Sequence, residues 1–432
     1  MYAARAAAVT GAAAGWGGWV GRRTKQTAVS RTDQRLTVGY LSTDFGEHPT
    51  SHLMRNVWAL QRKGGRVRAI CFARTNDRTE QRKYIQETCE EFVDLTGYSW
   101  RRAADEINAR RVELLVDLNG HCGQPQFEIL SLRAAPLQMT YMGHPGTSGA
   151  RYIQYALADR ATAPPSARSH FTEHLFMMPQ WHVTDYRYSQ PFTERFGEPP
   201  PGAPPIGPAV AWPVGATAEG IGLPPGRVVL ATFNQLYKVG ALNLLTWVNA
   251  LRRAPNSVLW ILQFPPAAAD NLQLEAAAAG LRAGRVLSAP TAERRFHLAR
   301  SHLAQLFLDT APYSGHTTTG DALWMGTPVV TIPGDMMQVR VAASYSANTG
   351  CAQSVVRSLR HYEGFTAAVA QRLPALDSLR VCLAKSRWTS AAFDTATWVE
   401  KFDRGAHMVW EVYRNGLQPM HLLLPSRQLA AL

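Results

Sequence analysis

At 432 residues, with 46% hydrophobic and 18% charged positions, the chain has a globular composition, long for one core and comfortable for two α/β domains. A net charge of +13 and a pI near 9.8 invite a nucleic-acid partner, yet the arginines are scattered without a DNA- or RNA-binding signature, so an acidic small substrate fits better. No apolar stretch approaches the roughly 20 residues that span a bilayer, and Cys71, Cys89, Cys122, Cys351 and Cys382, odd in number and without CxxC, predict a reducing compartment with neither disulfide nor zinc.

Residues 1–32 are rich in Ala and Gly, with basic residues and no acid. They predict an N-terminal segment, 1–35, that is disordered or directs the chain to an organelle. From Leu36 the pattern becomes strand, turn, helix. Strands are predicted at 36–41, 67–72, 114–116, 137–142 and 155–158, with helices at 51–61 and 103–110. This gives a first Rossmann-like domain, 36–186. Residues 187–226, which include GEPPPGAPPIGP, are too rich in Pro and Gly for regular structure and predict a linker. A second domain, 227–384, follows with strands at 228–231, 258–263 and 303–308 and helices at 242–251 and 272–279. Residues 385–432 form a C-terminal helix and tail in which Val399, Phe402, Ala406, Val409 and Tyr413 recur at helical spacing and predict a core-packing face. Two doubly wound parallel sheets facing a cleft are the expected architecture, with ligands outside the carboxyl ends of the strands. No 34-residue helical repeat is legible.

Within this frame DTAPYSGHTTTGDALW, Asp309 to Trp324, reads as an anion site. A strand ends at Asp309 and a helix opens near Gly320. Gly315 permits a tight turn, Thr317 to Thr319 offer hydroxyls and N–H groups, and the helix start adds unpaired donors and a positive dipole end. Asp321 is placed to cap that helix or to accept from ribose hydroxyls. Arg is the default cation here, with lysine only at Lys25, Lys63, Lys83, Lys238, Lys385 and Lys401. Lys238, in FNQLYK after the first strand of the second domain, is therefore a candidate point charge for a departing pyrophosphate, with Gln235 reading a base or phosphate edge. His297 lies on a predicted helix. In the first domain, His48 sits in the first strand-to-helix turn as a hydrogen-bonding residue or general base. The turns at Asn119-Gly120-His121 and at Gly143 to Gly149, with His144, Gly146 and Thr147, reach the same rim. There is no DxD pattern, P-loop or GxSxG elbow, so a bound diphosphate is expected to be neutralised without a metal or other cofactor.

The segments VGYLSTDFGEHPTSHLM, MGHPGTSGA, FNQLYK, PNSVLWIL and GHTTTGDALWMGTPVVTIPG, in this order, resemble the catalytic region of the nucleocytoplasmic O-linked N-acetylglucosamine transferases. The resemblance covers about Leu36 to Gly416. It implies a GT-B fold, UDP-GlcNAc as donor, protein Ser or Thr hydroxyls as acceptors, and an inverting mechanism. It makes Lys238 the lysine on the donor phosphates, Gln235 a nucleotide contact, His316, Thr317 and Thr318 the diphosphate turn, Asp321 the ribose carboxylate, His297 the ring that packs on uracil, and His48 the active-site histidine. Three departures stand out. Arg294 replaces a lysine of the family, Gln126 stands where the family has an arginine or that arginine is displaced, and the tetratricopeptide repeats that recruit acceptors are not seen, which implies a separate repeat-containing adaptor. A donor such as GDP-fucose or UDP-glucose, or a non-catalytic UDP-sugar-binding paralogue, are the alternatives. The family implies a cytoplasmic and nuclear location, with neither a membrane nor nucleic acid as partner.

Overall fold

A computed structural model describes Ala6 and residues 35–189, 217–372 and 374–425, so the predicted N-terminal segment apart from Ala6 and Arg35, and residues 190–216 of the predicted linker, lie outside the described residues. The chain divides into two units, the first comprising residues 1–185 and 395–432 and the second 186–394.

In the first unit the elements run β1 (Leu36–Ser42), α1 (Pro49–Met54), α2 (Val57–Gly64), β2 (Val67–Ala73), α3 (Glu80–Thr88), β3 (Glu91–Asp94), α4 (Trp100–Ala109), β4 (Leu114–Asp117), α5 (Phe127–Ser131), β5 (Leu137–Thr140), β6 (Tyr155–Ala158) and β7 (His174–Met177). The second unit holds α6 (Tyr186–Ser189), β8 (Val228–Thr232), α7 (Ala241–Arg253), β9 (Ser257–Leu262), α8 (Pro266–Ala278), β10 (Val286–Ala289), α9 (Arg294–Ser301), β11 (Leu306–Leu308), α10 (Thr317–Trp324), β12 (Val329–Val330), α11 (Val341–Thr349), α12 (Leu359–Ala370) and α13 (Pro374–Thr389). The chain then returns to the first unit with α14 (Thr395–Arg414) and β13 (Leu422–Leu423).

The first sheet has the order β13-β7-β6-β5-β4-β1-β2-β3 and the second β10-β9-β8-β11-β12, and every pairing in both is parallel. A parallel sheet covered by helices on both faces needs strands apolar on both faces. β1, LTVGYLS, meets that demand, with all seven residues buried. The second unit closes its core around Leu230, Trp247, Leu251, Leu259, Ile261, Leu306 and Leu308. Strand order reverses beside β1 in the first sheet and beside β8 in the second. These are the switch points where such sheets bind ligands.

Three expectations are corrected. The helix predicted over 51–61 is two helices broken at Arg55 and Asn56. The Asn56 side chain is pinned by Tyr84 Oη and by Asp185, whose Oδ1 accepts from Asn56 Nδ2 at 2.6 Å, and its backbone leaves the helical region at φ −96°, ψ 0°. The boundary predicted at 384/385 falls inside α13. Residues up to Asp394 stay with the second unit, where Arg387 Nε donates to the Trp324 carbonyl at 2.7 Å, while α14 buries Trp398, Val399, Phe402, Ala406 and Val409 in the first. Finally, Cys351 and Cys382 form a disulfide between the end of α11 and α13. They lie 31 residues apart with Cα atoms 6.0 Å apart, a juxtaposition that depends on the fold and leaves no mark in the spacing.

Candidate functional site

In the second unit the loops after β8 and β11 meet at the switch point. Asn234 joins them. Its Nδ2 donates to Thr310 Oγ1 at 2.9 Å, and its Oδ1 accepts from Thr318 Oγ1. Asp309, at the end of β11, accepts from the Gly315 N–H at 2.6 Å and from Thr331 Oγ1 at 2.6 Å. Gly315 is obligatory for close approach, because a Cβ there would meet Thr319 Oγ1 at 2.6 Å and Asn234 Oδ1 at 2.9 Å. The turn so fixed delivers His316 as the residue before α10, then Thr317 and Thr318, half-buried, in its first turn. The N–H groups of a first helical turn lack intrahelical acceptors. Lys238 reaches this turn from the other loop, with Nζ 3.0 Å from the Ser314 carbonyl and 4.4 Å from the Tyr313 ring centre. His316 Nε2 lies 3.2 Å from the Gln338 carbonyl. Gln235, next to Asn234, is exposed. Backbone donors, hydroxyls and one ammonium so arranged can cradle an anion.

A second group sits beside it. Asp321 is 2% exposed and does not cap α10. Its Oδ1 accepts from Tyr186 Oη at 2.7 Å and Arg294 Nη2 at 3.2 Å, while Oδ2 lies 3.7 Å from His297 Nε2. The capping expectation fails because Asp321 is the fifth residue of α10 and is spent on this buried network. His297 packs edge-to-face on Phe233, with ring centres 5.3 Å apart. Burial pushes the imidazole down to about 4, against the attraction of Asp321 and helped by Arg300 and Arg294. It is a neutral ring at pH 7.

In the first unit, His48 caps α1, its Nδ1 accepting from the Thr50 N–H at 3.3 Å with Asp44 Oδ2 3.5 Å away. When Nδ1 accepts this bond, the ring proton lies on Nε2, on the half-exposed side of His48. Asp44 in turn accepts from Asn119 Nδ2 at 3.0 Å, and Asn119 also binds Thr43 N–H through Oδ1 at 2.9 Å. Behind them Asp117 takes the N–H groups of Asn119 and Gly120 at 3.1 and 3.0 Å. Burial raises its carboxyl to about 6, opposing those bonds. His121 packs on Phe127 and at right angles on His144, with ring centres 4.9 and 5.0 Å apart. Burial, then His121, pushes His144 down to about 4. Gly146 lies over that ring, where a Cβ would stand 3.0 Å from His144 Nε2. Thr147 differs from its neighbours. Its hydroxyl donates to Glu173 at 2.7 Å and accepts from Gly149 N–H at 3.0 Å, which builds the loop.

Sequence reasoning put forward Lys238, His316, Thr317 and Thr318, which the fold brings to one turn, and Arg294, His297 and Asp321, which the fold joins in one network. It missed Asn234, Asp309, Asp44 and Asp117. A polar residue at the carboxyl end of a buried strand was the available signal.

Two units, each a parallel sheet with helices and a switch point at its carboxyl edge, are the domains of the GT-B fold. The sequence pattern of glycosyl transferase family 41 matches residues 22–195 and 212–402, and the chain belongs to that family. It is 36% identical over 392 residues to an Arabidopsis thaliana protein described as a probable UDP-N-acetylglucosamine–peptide N-acetylglucosaminyltransferase, covering 90% of this chain and 38% of that protein. A Caenorhabditis elegans protein with the corresponding description is 27% identical, with 90% of this chain and 42% of that protein covered. The chain thus spans about two fifths of the length of these relatives. A Thermobaculum terrenum O-GlcNAc transferase variant shares the fold with a TM-score of 0.74 at 23% identity, over 88% of this chain and 69% of that one. An Anabaena protein solved with UDP and glucose does so with a TM-score of 0.54 at 9% identity, over 87% of this chain and all of the other. Among the described residues no helix is long and apolar enough to cross a membrane.

Proposed function

We propose that this chain transfers N-acetylglucosamine from UDP-GlcNAc to Ser or Thr hydroxyls of proteins with inversion at the anomeric carbon. The observation that carries the reading is the cradle itself, Lys238 set against the Gly315–Thr318 turn at the start of α10, in a family 41 chain. The donor diphosphate lies on the N–H groups and hydroxyls of Thr317 and Thr318 with His316, and Lys238 meets the charge that builds as the bond from the anomeric carbon to the diphosphate breaks. The acceptor oxygen forms the new bond on the opposite face, its proton leaves to solvent or a base, and UDP departs. These protein groups carry the leaving-group charge without a divalent ion or other cofactor.

Gln235, exposed beside the cradle, contacts the nucleotide, and the neutral His297 ring offers a flat surface to uracil. Arg294 and Asp321 stand behind that ring, so we assign them to positioning His297. Reaching a ribose would require Asp321 to release Tyr186 or Arg294. In the first unit, His48 binds the acceptor or sugar as a donor, and His121, His144 and Gly146 shape that rim. Thr147 supports the loop behind it. A separate chain carrying tetratricopeptide repeats would recruit acceptors, and the cytoplasm and nucleus are the proposed location.

The test is UDP release from UDP-GlcNAc, UDP-glucose and GDP-fucose in parallel, with and without a Ser/Thr-rich peptide, in buffer containing EDTA. Peptide-dependent release from UDP-GlcNAc, reduced about 100- to 1000-fold in Lys238→Ala, is expected. Preference for another donor would replace the sugar assignment. UDP binding without turnover of any donor would make the chain a binding paralogue.

A further inference from the structure

β2 is followed directly by Arg74, a half-buried arginine at the carboxyl edge of the first sheet. Its side chain is held by three hydrogen bonds, none to an acid. Nε donates to Gln126 Oε1 at 2.9 Å, and Nη1 donates to the carbonyls of Leu95 at 2.6 Å and Tyr98 at 3.1 Å. Nη2, with two N–H donors, has no partner among the described residues. Other arginines of this unit do meet carboxylates: Arg35 pairs with Glu90, Arg68 with Glu91, Arg82 with Asp94, and Arg110 with Glu91 and Glu106. A guanidinium keeps its charge at every physiological pH, and leaving it partly desolvated without a counter-ion is unfavourable. Burial lowers the proton affinity of Arg74 with no acid to restore it.

The anchor is as fixed as the cation. Gln126 is 7% exposed, and its Nε2 is spent on the Gln124 carbonyl at 2.7 Å. Arg74 therefore brings a guanidinium to the turn that carries Gln126. Its backbone N–H donates to the Ser42 carbonyl at 2.9 Å, and Thr75 Oγ1 donates to the Thr43 carbonyl at 2.6 Å. Thr43 and Asp44 also bind Asn119. Arg74 thus stands in the loop cluster that carries His48, beside the switch point at β1.

We propose that Arg74, oriented by Gln126, is a specificity residue of the acceptor side that binds the carboxylate of an Asp or Glu close to the modified Ser or Thr. The proposal rests on the protein-transferase reading above. The diphosphate already has its cradle in the second unit, which leaves this cation for the other substrate. A single free nitrogen with two donors suits one carboxylate.

The experiment compares peptides that carry one Glu at successive positions around a Ser or Thr with their Gln and Lys counterparts. Binding is followed by fluorescence anisotropy and sugar transfer in parallel, at low and high salt. For at least one position the wild type should favour Glu over Gln about tenfold, with the preference shrinking as salt rises. Arg74→Gln should abolish the ratio, and Arg74→Glu should turn it toward Lys. Gln126→Ala, which frees Nε while keeping the cation, should weaken it and serves if an Arg74 variant does not fold. A wild type indifferent to Glu at every position, or a Glu preference untouched by these substitutions, overturns the subsite. Glu-dependent binding without sugar transfer to any peptide supports the subsite and removes the transferase reading instead.

Discussion

The Gly315 N–H donates to Asp309 Oδ1 at 2.6 Å, tying the first bend of the proposed anion cradle to the residue that follows β11. Asp309 is 3% exposed, and burial lifts its carboxyl to about 6, against its hydrogen bonds and the pull of Lys238. The cradle is thus built from the sheet outward, and its close contacts leave no room for a side chain. Gly315→Ala should lower stability by about 1–3 kcal/mol and weaken UDP binding, since the new methyl group would have to displace Thr318, Thr319 or Asn234. Thermal denaturation and UDP calorimetry check this. Unchanged UDP affinity would show that the turn is not where the diphosphate lies.

His297 and His144 are both pushed down to about 4. In the unfolded chain a histidine titrates near 6.5. The unfolded state therefore binds the extra proton first, and the stability linked to these rings is present above about pH 6.5 and lost as pH falls from 6.5 toward 4. In NMR spectra the ring signals of both should stay constant between about pH 8 and 5.5, assigned through His297→Gln and His144→Gln. A midpoint near 6.5 for His297 would mean that its pocket is wetter than the packing against Phe233 implies.

The central strands and long helices were legible because their chemistry is periodic or wholly apolar. β1, β2 and β6 follow from LTVGYLS, VRAICFA and YALA, and α14 from Val399, Phe402, Ala406 and Val409. β12 and β13 have two residues each, too few for a period to show, and α3, EQRKYIQET, hides its Ile85 among polar residues. At the site, residue types that suit phosphate were visible, and so were the glycines. The partner of each side chain was not. Asp321 reads as a carboxylate near a helix start, but only the fold reveals that Tyr186, from 135 residues earlier, occupies it. Arg74 carried no signal at all, since its meaning lies in acids that are not beside it.

Asp403 holds α14 to α2, accepting from Gln61 Nε2 at 2.7 Å, while Gln61 Oε1 accepts from Tyr40 Oη at 3.0 Å. Burial raises the carboxyl to about 7, opposed by Gln61 and Arg66. An unfolded Asp titrates near 3.9, so between about pH 4 and 7 the folded state keeps a proton that the unfolded chain has lost. Stability from this group is full below about pH 4 and declines as pH rises to about 7. Asp403→Asn retains the acceptor for Gln61 and has no proton to lose. It should be more stable than wild type at pH 8, on the order of 1–3 kcal/mol, with the difference closing toward pH 4. Urea titrations at several pH values measure this, and a difference independent of pH would sink the account.

The Cys351–Cys382 bond closes a loop of 31 residues that contains α12 and links the end of α11 to α13. Cross-linking lowers the entropy of the unfolded chain, and a loop of this size is worth about 2–4 kcal/mol. A reductant should therefore lower the midpoint of thermal unfolding, and Cys382→Ser should start at that lower value and no longer respond. α11 also supports the cradle, because Ser314 Oγ accepts from the Ala342 N–H at 3.4 Å. Reduction should accordingly weaken UDP binding in the wild type and leave the Cys382→Ser value unchanged. Peptide mapping without reductant identifies the linked pair directly. Two free thiols in protein purified under oxidising conditions would restore the sequence expectation that the pair is unbonded.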